Sequence, residues 1–240
     1  MIEGKHAVVT GGGKGIGLAI ARALKERGAN VSIVSRSAPD TGDGFFLASA
    51  DVSDETSAMR AFERCRERNG NIAILVNNSG IAESAPFKRT DRAMWDRIIG
   101  TNLTGTYLCT RLAIDEMLAA GWGRIINVAS VAGLYGAPYI SAYAASKHGV
   151  IGLTRSLAAE LDGSGVTVNA ICPGYTEGEM MDRAIEKIMR TTSLTPDQVR
   201  AQLAQANPGG RWVTPREIAS TAVALCDGNE SGQEVVLPRL

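Results

Sequence analysis

The sequence is poor in the residues that hold metal ions and disulfide frameworks. It contains four cysteines and two histidines among 240 residues. The cysteines stand far apart, and no two of them have the spacing of metal ligands: Cys65, Cys109, Cys172 and Cys226. We therefore expect a reduced protein that holds no metal.

An excess of one charge and long apolar runs are also lacking. The 25 basic and 25 acidic side chains balance to a formal charge of +0, whereas proteins that bind nucleic acid normally present a basic face. No apolar run approaches the ~20 residues that span a bilayer, and residues 1–10 resemble a strand rather than a leader peptide. The sequence thus predicts a cytoplasmic protein with neither nucleic acid nor a membrane as its partner.

Short apolar segments alternate with helical patterns along the chain. Predicted strands cover residues 6–10, 29–35, 45–50, 72–76, 123–129, 165–172 and 231–237. Predicted helices cover residues 18–27, 54–68 with Ser53 as the cap, 90–119, and a stretch from near Tyr143 to about Leu161. This alternation, without repeats or linkers, predicts an α/β fold with a doubly wound, Rossmann-like parallel sheet in a single domain, residues 1–240.

Residues 175–212 interrupt the alternation after the sixth strand. The segment is helical, charged and rich in methionine, with Met180, Met181 and Met189. Adaptable methionines beside a site suit an apolar acyl chain, so the segment is a candidate substrate lid. Ordinary packing explains the methionines equally well.

A glycine-rich stretch follows the first strand and precedes a helix. It has glycine at positions 11, 12, 13, 15 and 17, with Lys14 and Ile16 between them. Bare backbone lets a pyrophosphate approach, and the helix N-terminus offers free N–H groups and a partial positive charge. The spacing is Gly-x-x-x-Gly-x-Gly, not the commoner Gly-x-Gly-x-x-Gly. A phosphate-binding loop is predicted; a merely flexible loop is the alternative.

The choice of nucleotide is indicated at the end of the second strand. A carboxylate there accepts from the ribose 2′-hydroxyl of NAD, whereas a cation accommodates the additional phosphate of NADP. This chain has Ser35 followed by Arg36, and Lys14 lies in the glycine loop. The two cations favour NADP(H), with NAD(H) as the alternative.

Tyr143 and Lys147 are four residues apart on a predicted helix. Such positions share one face of the helix, and an ammonium beside a phenol lowers the tyrosine pKa toward the range of a working acid or base. Ser130 ends the fifth strand, where ligands bind in open α/β sheets. Asn102 lies in an apolar helical stretch, where its amide needs partners. An ordinary surface pair and a local kink are the alternative interpretations of the Tyr–Lys pair and of Asn102.

In this order, the motifs resemble those of the short-chain dehydrogenase/reductase family, and the resemblance covers essentially the whole chain. The matching motifs are Thr10-Gly11-x-x-x-Gly15-x-Gly17, Asp51, Asn77-Asn78-x-Gly80, Asn102, Ser130, Tyr143-x-x-x-Lys147 and Pro173-Gly174. The resemblance implies a catalytic tetrad of Asn102, Ser130, Tyr143 and Lys147. It implies a cofactor site made of Thr10, Gly11, Gly13, Lys14, Gly15, Ile16, Gly17, Arg36, Asp51, Val52, Asn78, Ser79, Gly80, Tyr143, Lys147, Pro173, Gly174 and Thr176.

The same resemblance implies a mechanism. Ser130 and Tyr143 would bind a carbonyl oxygen, and Tyr143 would donate a proton as a nicotinamide delivers hydride. Lys147 would lower the pKa of Tyr143 and hold the nicotinamide ribose, and Asn102 would hold a water that links the lysine to solvent. Asp51 and Val52 would contact the adenine, and the residues after Pro173 would bind the nicotinamide amide.

The chain departs from the family pattern at three places. Ser79 replaces the usual alanine, Gly178 replaces a threonine expected to bind the nicotinamide, and no diglycine tail follows the last strand. Members are commonly tetramers, so we expect a homo-oligomer, a tetramer or a dimer.

The substrate is less closely defined than the fold. Residues 173–211 resemble reductases and dehydrogenases of 3-oxoacyl and 3-hydroxyacyl thioesters, including polyketide ketoreductases. Arg183, Lys187 and Arg190 either meet a phosphopantetheine or nucleotide phosphate or form a solvated helix face. The expected activity is NADP(H)-dependent reduction of such a ketone. The alternatives are an NAD(P)-dependent dehydrogenase of a secondary or cyclic alcohol, and a non-catalytic nucleotide-sensing protein.

Overall fold

A single parallel sheet of seven strands organises the molecule. The computed structural model describes residues 2–37, 41–190 and 192–238, without the side chain of Met180. Residues 38–40, the side chain of Met180 and the last two residues of the sequence therefore lie outside the described part. The strands are β1 (His6–Thr10), β2 (Asn30–Ser35), β3 (Phe46–Ser49), β4 (Ile72–Asn77), β5 (Gly123–Val128), β6 (Val166–Pro173) and β7 (Glu234–Leu237).

Helices cover both faces of the sheet. They are α1 (Gly15–Glu26), α2 (Glu55–Asn69), α3 (Arg92–Ile99), α4 (Gly105–Ala119), α5 (Ser141–Glu160), α6 (Glu179–Met189), α7 (Pro196–Gln205) and α8 (Pro215–Asp227), with short 3-10 turns at Phe87–Arg89, Val131–Gly133 and Pro208–Gly210. One apolar core lies between the sheet and α1 with α8, and the other lies beneath α2 and α4. The predicted doubly wound α/β fold is confirmed.

Strand order explains where a site can form. The strands run β3-β2-β1-β4-β5-β6-β7, and every pair is parallel. From β1 the chain first adds β2 and β3 on one side and then β4 to β7 on the other side. A crevice therefore opens at the carboxyl ends of β1 and β4, where the direction of the strand order reverses. The glycine loop follows β1 at this crevice.

Two predicted helices differ in detail from the observed ones. The long helix expected over residues 90–119 begins at Arg92 and is interrupted by a π-helical turn at Gly100–Thr104, which separates α3 from α4. The cap of α2 is Asp54, whose carboxylate accepts from the N–H of Ser57, and not Ser53. An aspartate beside the serine provides the stronger acceptor for the helix N-terminus.

Candidate active site

The glycine loop is held in place by the end of β4. The Asn78 side-chain amide donates to the carbonyl oxygens of Thr10 (3.1 Å) and Gly11 (3.2 Å). In return, the buried Thr10 hydroxyl accepts from the N–H groups of Asn78 and Ser79, each at 3.0 Å. These bonds join the two strands at the crevice, so Asn78 positions the loop with its side chain.

Glycine is required where the loop meets helix α1. A Cβ at Gly17 would lie 2.4 Å from the Gly11 carbonyl oxygen and 2.5 Å from Asn78 Nδ2, closer than atoms can approach. Gly13 is buried in the loop, and Ile16 packs against the core beneath it. The glycines thus let the helix start directly against the end of β1.

The start of α1 fits a dinucleotide phosphate. Its first turn contains no acidic residue, and Lys14 at the N-cap position provides no side-chain hydrogen bond to the helix. Around Gly15 the space is open, with no atom within 4 Å of a Cβ placed there. A helix N-terminus with free N–H groups and open space attracts anions.

The strand ends next to the glycine loop carry the residues predicted for the adenosine. Arg36 is exposed at the end of β2. Asp51 accepts from the backbone N–H and the hydroxyl of Ser53, at 2.9 and 2.6 Å, and these bonds hold its pKa below the ordinary value. Val52 is buried and packs beneath Gly105. A cation and a carboxylate therefore lie on this side of the crevice.

Ser130, Tyr143 and Lys147 come together beyond the ends of β5 and β6. The Ser130 hydroxyl donates to the carbonyl of Pro173 (3.4 Å), and it also hydrogen-bonds to the Tyr143 phenol. Lys147 Nζ lies 5.8 Å from the centre of the Tyr143 ring and donates to the Val128 carbonyl at 2.8 Å. A substrate oxygen at the two hydroxyls would meet two donors once the Ser130 hydroxyl turns from the Pro173 carbonyl to that oxygen.

Burial governs the titration of this group. It raises the pKa of Tyr143, and the hydrogen bond with Ser130 acts in the opposite direction. Burial also lowers the pKa of Lys147 to about 8. The expectation that Lys147 lowers the Tyr143 pKa is therefore wrong for this arrangement: Ser130 has that effect, and desolvation of the phenol outweighs it.

Asn102 lies in the π-helical turn, fully buried. Its Oδ1 accepts from Ile81 N–H (2.8 Å), and its Nδ2 donates to the Ile81 carbonyl (3.0 Å) and the Ser146 hydroxyl (3.0 Å). Ser146 in turn donates to the Tyr143 carbonyl. A Cβ at Gly80 would lie 3.4 Å from Asn102 Oδ1 and 3.7 Å from Lys147 Nζ. Asn102 thus joins the loop after β4 to helix α5.

The segment after β6 is held by a residue that the sequence interpretation missed. The buried Asn207 accepts from Tyr175 N–H (2.6 Å) and donates to the carbonyls of Tyr175 (2.9 Å) and Arg211 (2.8 Å). The Thr176 hydroxyl donates to the Gly174 carbonyl and so faces the same loop. An asparagine before Pro-Gly-Gly was the only sequence signal for this role.

Gly178 explains one departure from the family pattern. It precedes α6 with φ +138° and ψ 174°, a conformation that glycine adopts and that side chains rarely allow. The backbone here is therefore built for glycine, and the threonine of the family pattern would be strained in it.

Helix α6 lies over the crevice and is attached on both sides. Near its start, Glu179 forms an ion pair with Lys14 of the glycine loop at 2.6 Å. Near its end, Lys187 donates to the carbonyl and the hydroxyl of Ser84, at 2.7 and 3.0 Å. Lys14, predicted to meet a nucleotide phosphate, is thus paired with a carboxylate, and Lys187 contacts the loop after β4.

Two exposed tyrosines lie in the chain between Ser130 and Tyr143. Tyr135 and Tyr139, in the connection between β5 and α5, are 68% and 65% exposed. Tyr139 has φ +69°, and its carbonyl accepts from Ala85 N–H at 2.8 Å. This bond joins the β5–α5 connection to the loop after β4.

Neither a metal-ligand cluster nor a membrane-spanning helix is present among the described residues. Residues 2–37, 41–190 and 192–238 contain no group of three or more histidine, cysteine, aspartate or glutamate side chains placed to hold a metal ion. No helix in that part of the chain combines the length and the apolar character needed to cross a membrane. The four cysteines are free and buried.

Comparison with known families and curated proteins gives consistent matches. The family model described as short chain dehydrogenase matches residues 5–188. The chain is 38% identical to D-beta-hydroxybutyrate dehydrogenase of Rhizobium meliloti, over 95% of this chain and 93% of that protein. It is 40% identical to the 3-oxoacyl-[acyl-carrier-protein] reductase of Vibrio harveyi, over 93% and 90%. It is also 40% identical to cis-4-hydroxycyclohexanecarboxylate dehydrogenase of Sinomonas cyclohexanicum, over 91% and 88%.

A solved structure shares both the fold and the extent of the chain. The crystal structure of a variant actinorhodin polyketide ketoreductase with NADPH superimposes with a TM-score of 0.91 and 31% identity. The match covers 97% of this chain and 95% of that one.

Proposed function

Because the chain belongs to the short-chain dehydrogenase family, an oxidoreductase family, we propose that it transfers a hydride between NADP(H) and a 3-oxoacyl thioester or a related ketone. The observation that carries the proposal is the contact of Ser130 with Tyr143, beside Lys147, at the carboxyl edge of the sheet. The two hydroxyls form a binding site for one oxygen atom, and Tyr143 can exchange a proton with it.

Each residue of the proposed site has its own role in the reaction. In the reducing direction Ser130 and Tyr143 bind the carbonyl oxygen, and Tyr143 donates its proton to that oxygen. A raised pKa keeps the phenol protonated near neutral pH, which is the form that a proton donor requires. When bound, the nicotinamide cofactor supplies or accepts the hydride. In the oxidising direction Tyr143 accepts the proton.

Lys147 and Asn102 support that exchange. With a pKa of about 8, Lys147 gains and loses a proton close to physiological pH, and its Nζ lies near Gly80, which lines the cofactor side. We assign Lys147 the role of binding the nicotinamide ribose. Asn102 fixes the loop after β4 against α5, and we assign it the water that connects Lys147 to solvent.

The proposed preference for NADP(H) rests on charge. Arg36 ends β2 without a neighbouring carboxylate on that strand, and Lys14 lies in the glycine loop. Both are suited to a 2′-phosphate. The polyketide ketoreductase with the same fold was crystallised with NADPH. A loss of NADPH affinity in Arg36→Ala, with NADH affinity retained, is the expected result.

The proposed substrate class follows from the relatives. Two of their names, D-beta-hydroxybutyrate dehydrogenase and 3-oxoacyl reductase, denote an oxygen at the β carbon of an acyl group. We therefore expect NADPH oxidation with acetoacetyl-CoA and with simple β-keto esters. Purified protein that oxidises neither NADPH nor NADH with these compounds would contradict the proposal.

A second candidate is oxidation of a secondary or cyclic alcohol. The relative from Sinomonas cyclohexanicum is named for a hydroxycyclohexanecarboxylate, and the exposed Tyr135 and Tyr139 offer flat surfaces for a ring. Comparing turnover of 3-hydroxybutyrate and of 4-hydroxycyclohexanecarboxylate with NAD and NADP, in both directions, separates the two candidates.

Assembly and location belong to the same proposal. We infer a homo-oligomer, a tetramer or a dimer, that works in the cytoplasm, from the resemblance to the family. Light scattering on the purified protein tests the first inference, since a monomer at micromolar concentration would contradict it.

A further inference from the structure

The ion pair between Lys14 and Glu179 links the glycine loop to α6, which we call the lid helix because it lies in the candidate substrate lid. Lys14 Nζ and Glu179 Oε2 are 2.6 Å apart, although 165 positions separate them in the chain. Their side chains are 71% and 52% exposed, so a ligand can reach either partner. The ammonium that we assign to a nucleotide phosphate therefore has an acidic neighbour supplied by the lid.

Glu179 lies between two cations. Its other oxygen contacts Arg183, one helical turn further along α6. Both cations hold the pKa of Glu179 below its ordinary value, with Lys14 contributing most, so the carboxylate is charged throughout the neutral range. Asp182, the next acidic residue of α6, is paired with Arg200 at 2.5 Å. Glu179 is therefore the α6 carboxylate that contacts Lys14.

A carboxylate on Lys14 affects the two nucleotides differently. NADP(H) carries a 2′-phosphate with a charge of about −1.5 to −2 near pH 7, as for other phosphate monoesters, whereas NAD(H) has a hydroxyl there. The phosphate must share the ammonium with Glu179 or displace it, and the two anions repel each other. The 2′-hydroxyl of NAD(H) does not need the Lys14 ammonium, and the charge of Glu179 does not repel it.

We propose that Glu179 sets the balance between NADP(H) and NAD(H) by competing with the 2′-phosphate for Lys14. The inference rests on the proposed function, since it takes Lys14 as the phosphate ligand. In this arrangement Glu179 weakens the preference for NADP(H) that Arg36 and Lys14 would otherwise produce, and it makes the lid helix part of nucleotide selection.

The test compares the affinities of two nucleotides in one variant. Glu179→Gln keeps the size of the side chain and removes its charge. We expect the Kd for NADPH, measured by nucleotide fluorescence, to fall by up to about fivefold, the upper end of the range of an exposed ion pair. The Kd for NADH should stay the same. The matched control is Glu177→Gln, which removes an exposed carboxylate two residues away without a described contact to Lys14.

A second background identifies the partner. In Lys14→Gln protein, the additional change Glu179→Gln should no longer alter the Kd for NADPH, because the ammonium under competition is gone. The inference is overturned if Glu179→Gln changes both nucleotides equally, if Glu177→Gln has the same effect, or if the effect persists without Lys14.

The outcomes also separate this inference from the proposed function. Wild-type protein that binds NADPH and reduces β-keto substrates, with a preference unchanged by Glu179→Gln, overturns the competition alone. Wild-type protein that binds neither nucleotide overturns the proposed function and the competition together.

Discussion

At the scale of single residues, desolvation sets the direction in which the pKa values of Tyr143 and Lys147 shift. Tyr143 and Lys147 were predicted as a pair because positions four apart share a helix face. The structure brings them together, with Lys147 buried and Tyr143 half-buried, and desolvation raises the pKa of the phenol and lowers that of the ammonium to about 8. Spacing alone gives the proximity of two groups, whereas their titration depends on burial, which a sequence pattern does not reveal.

The buried ammonium of Lys147 gives a prediction about stability and pH. Its pKa is about 8 in the folded protein, and it returns to about 10.4 in the unfolded chain. Between these values only the unfolded state holds the proton, so the free energy of unfolding should rise with pH, by up to about 3 kcal/mol.

Lys147→Met lacks this contribution and serves as the reference. Urea unfolding of both proteins at pH 7.5, 9 and 10.5 should show wild type gaining stability relative to the variant. A constant difference between the two proteins across this range would mean that Lys147 titrates normally.

At the scale of elements, the strands were predicted well and the connections less so. Each predicted strand is present and differs from the observed bounds by a few residues at most, because apolar runs between turn residues are a local signal. The π-helical turn around Asn102 falls where the sequence offered a local kink as the alternative interpretation, but the helical pattern did not reveal the type of turn. Asn207 and Glu179 were missed because their partners, Tyr175 and Lys14, lie 32 and 165 positions away.

Asn207 gives a prediction for the lid segment. Asn207→Ala removes three hydrogen bonds to backbone groups of the loop after β6 and leaves buried polar groups without partners. We expect a loss of about 2–4 kcal/mol in the free energy of unfolding, together with faster proteolysis within residues 175–212.

The control is Asn30→Ala, whose exposed amide makes a single 3.3 Å bond to the Gly4 carbonyl. Its effect should stay within about 0.5 kcal/mol, as for other surface changes. Equal losses in the two variants would show that Asn207 does not hold the loop.

At the scale of the whole molecule, the two ends of the parallel strands have different roles. The carboxyl ends of the strands carry the proposed site, and the amino end of β1 carries the buried His6. Its Nδ1 lies 2.7 Å from the Gly70 carbonyl and its Nε2 lies 2.8 Å from the Ser32 hydroxyl, which also accepts from Asn69. This network joins the first two strands to α2, far from the crevice.

His6 makes the stability of the whole fold sensitive to acid. Burial lowers its pKa in the folded protein, while Gly70 and Glu116 act in the opposite direction and Arg66 acts with burial. The unfolded chain therefore takes up a proton first, so this contribution is complete above about pH 6.5 and is lost as pH falls below that value.

His6→Asn retains a donor and removes the titration. Thermal unfolding of both proteins from pH 7.5 to 5 should show wild type losing stability faster than the variant. The same slope for both would mean that His6 is not responsible.

The central claim is that the Tyr143 phenol exchanges the proton as the hydride moves. The most direct measurement is single-turnover oxidation of NADPH with a β-keto substrate in wild type and in Tyr143→Phe. We predict a rate lower by about 10²–10⁴ in the variant, with the Kd for NADPH unchanged, because only the hydroxyl is removed. A variant that reacts at the wild-type rate while binding NADPH normally would contradict the account.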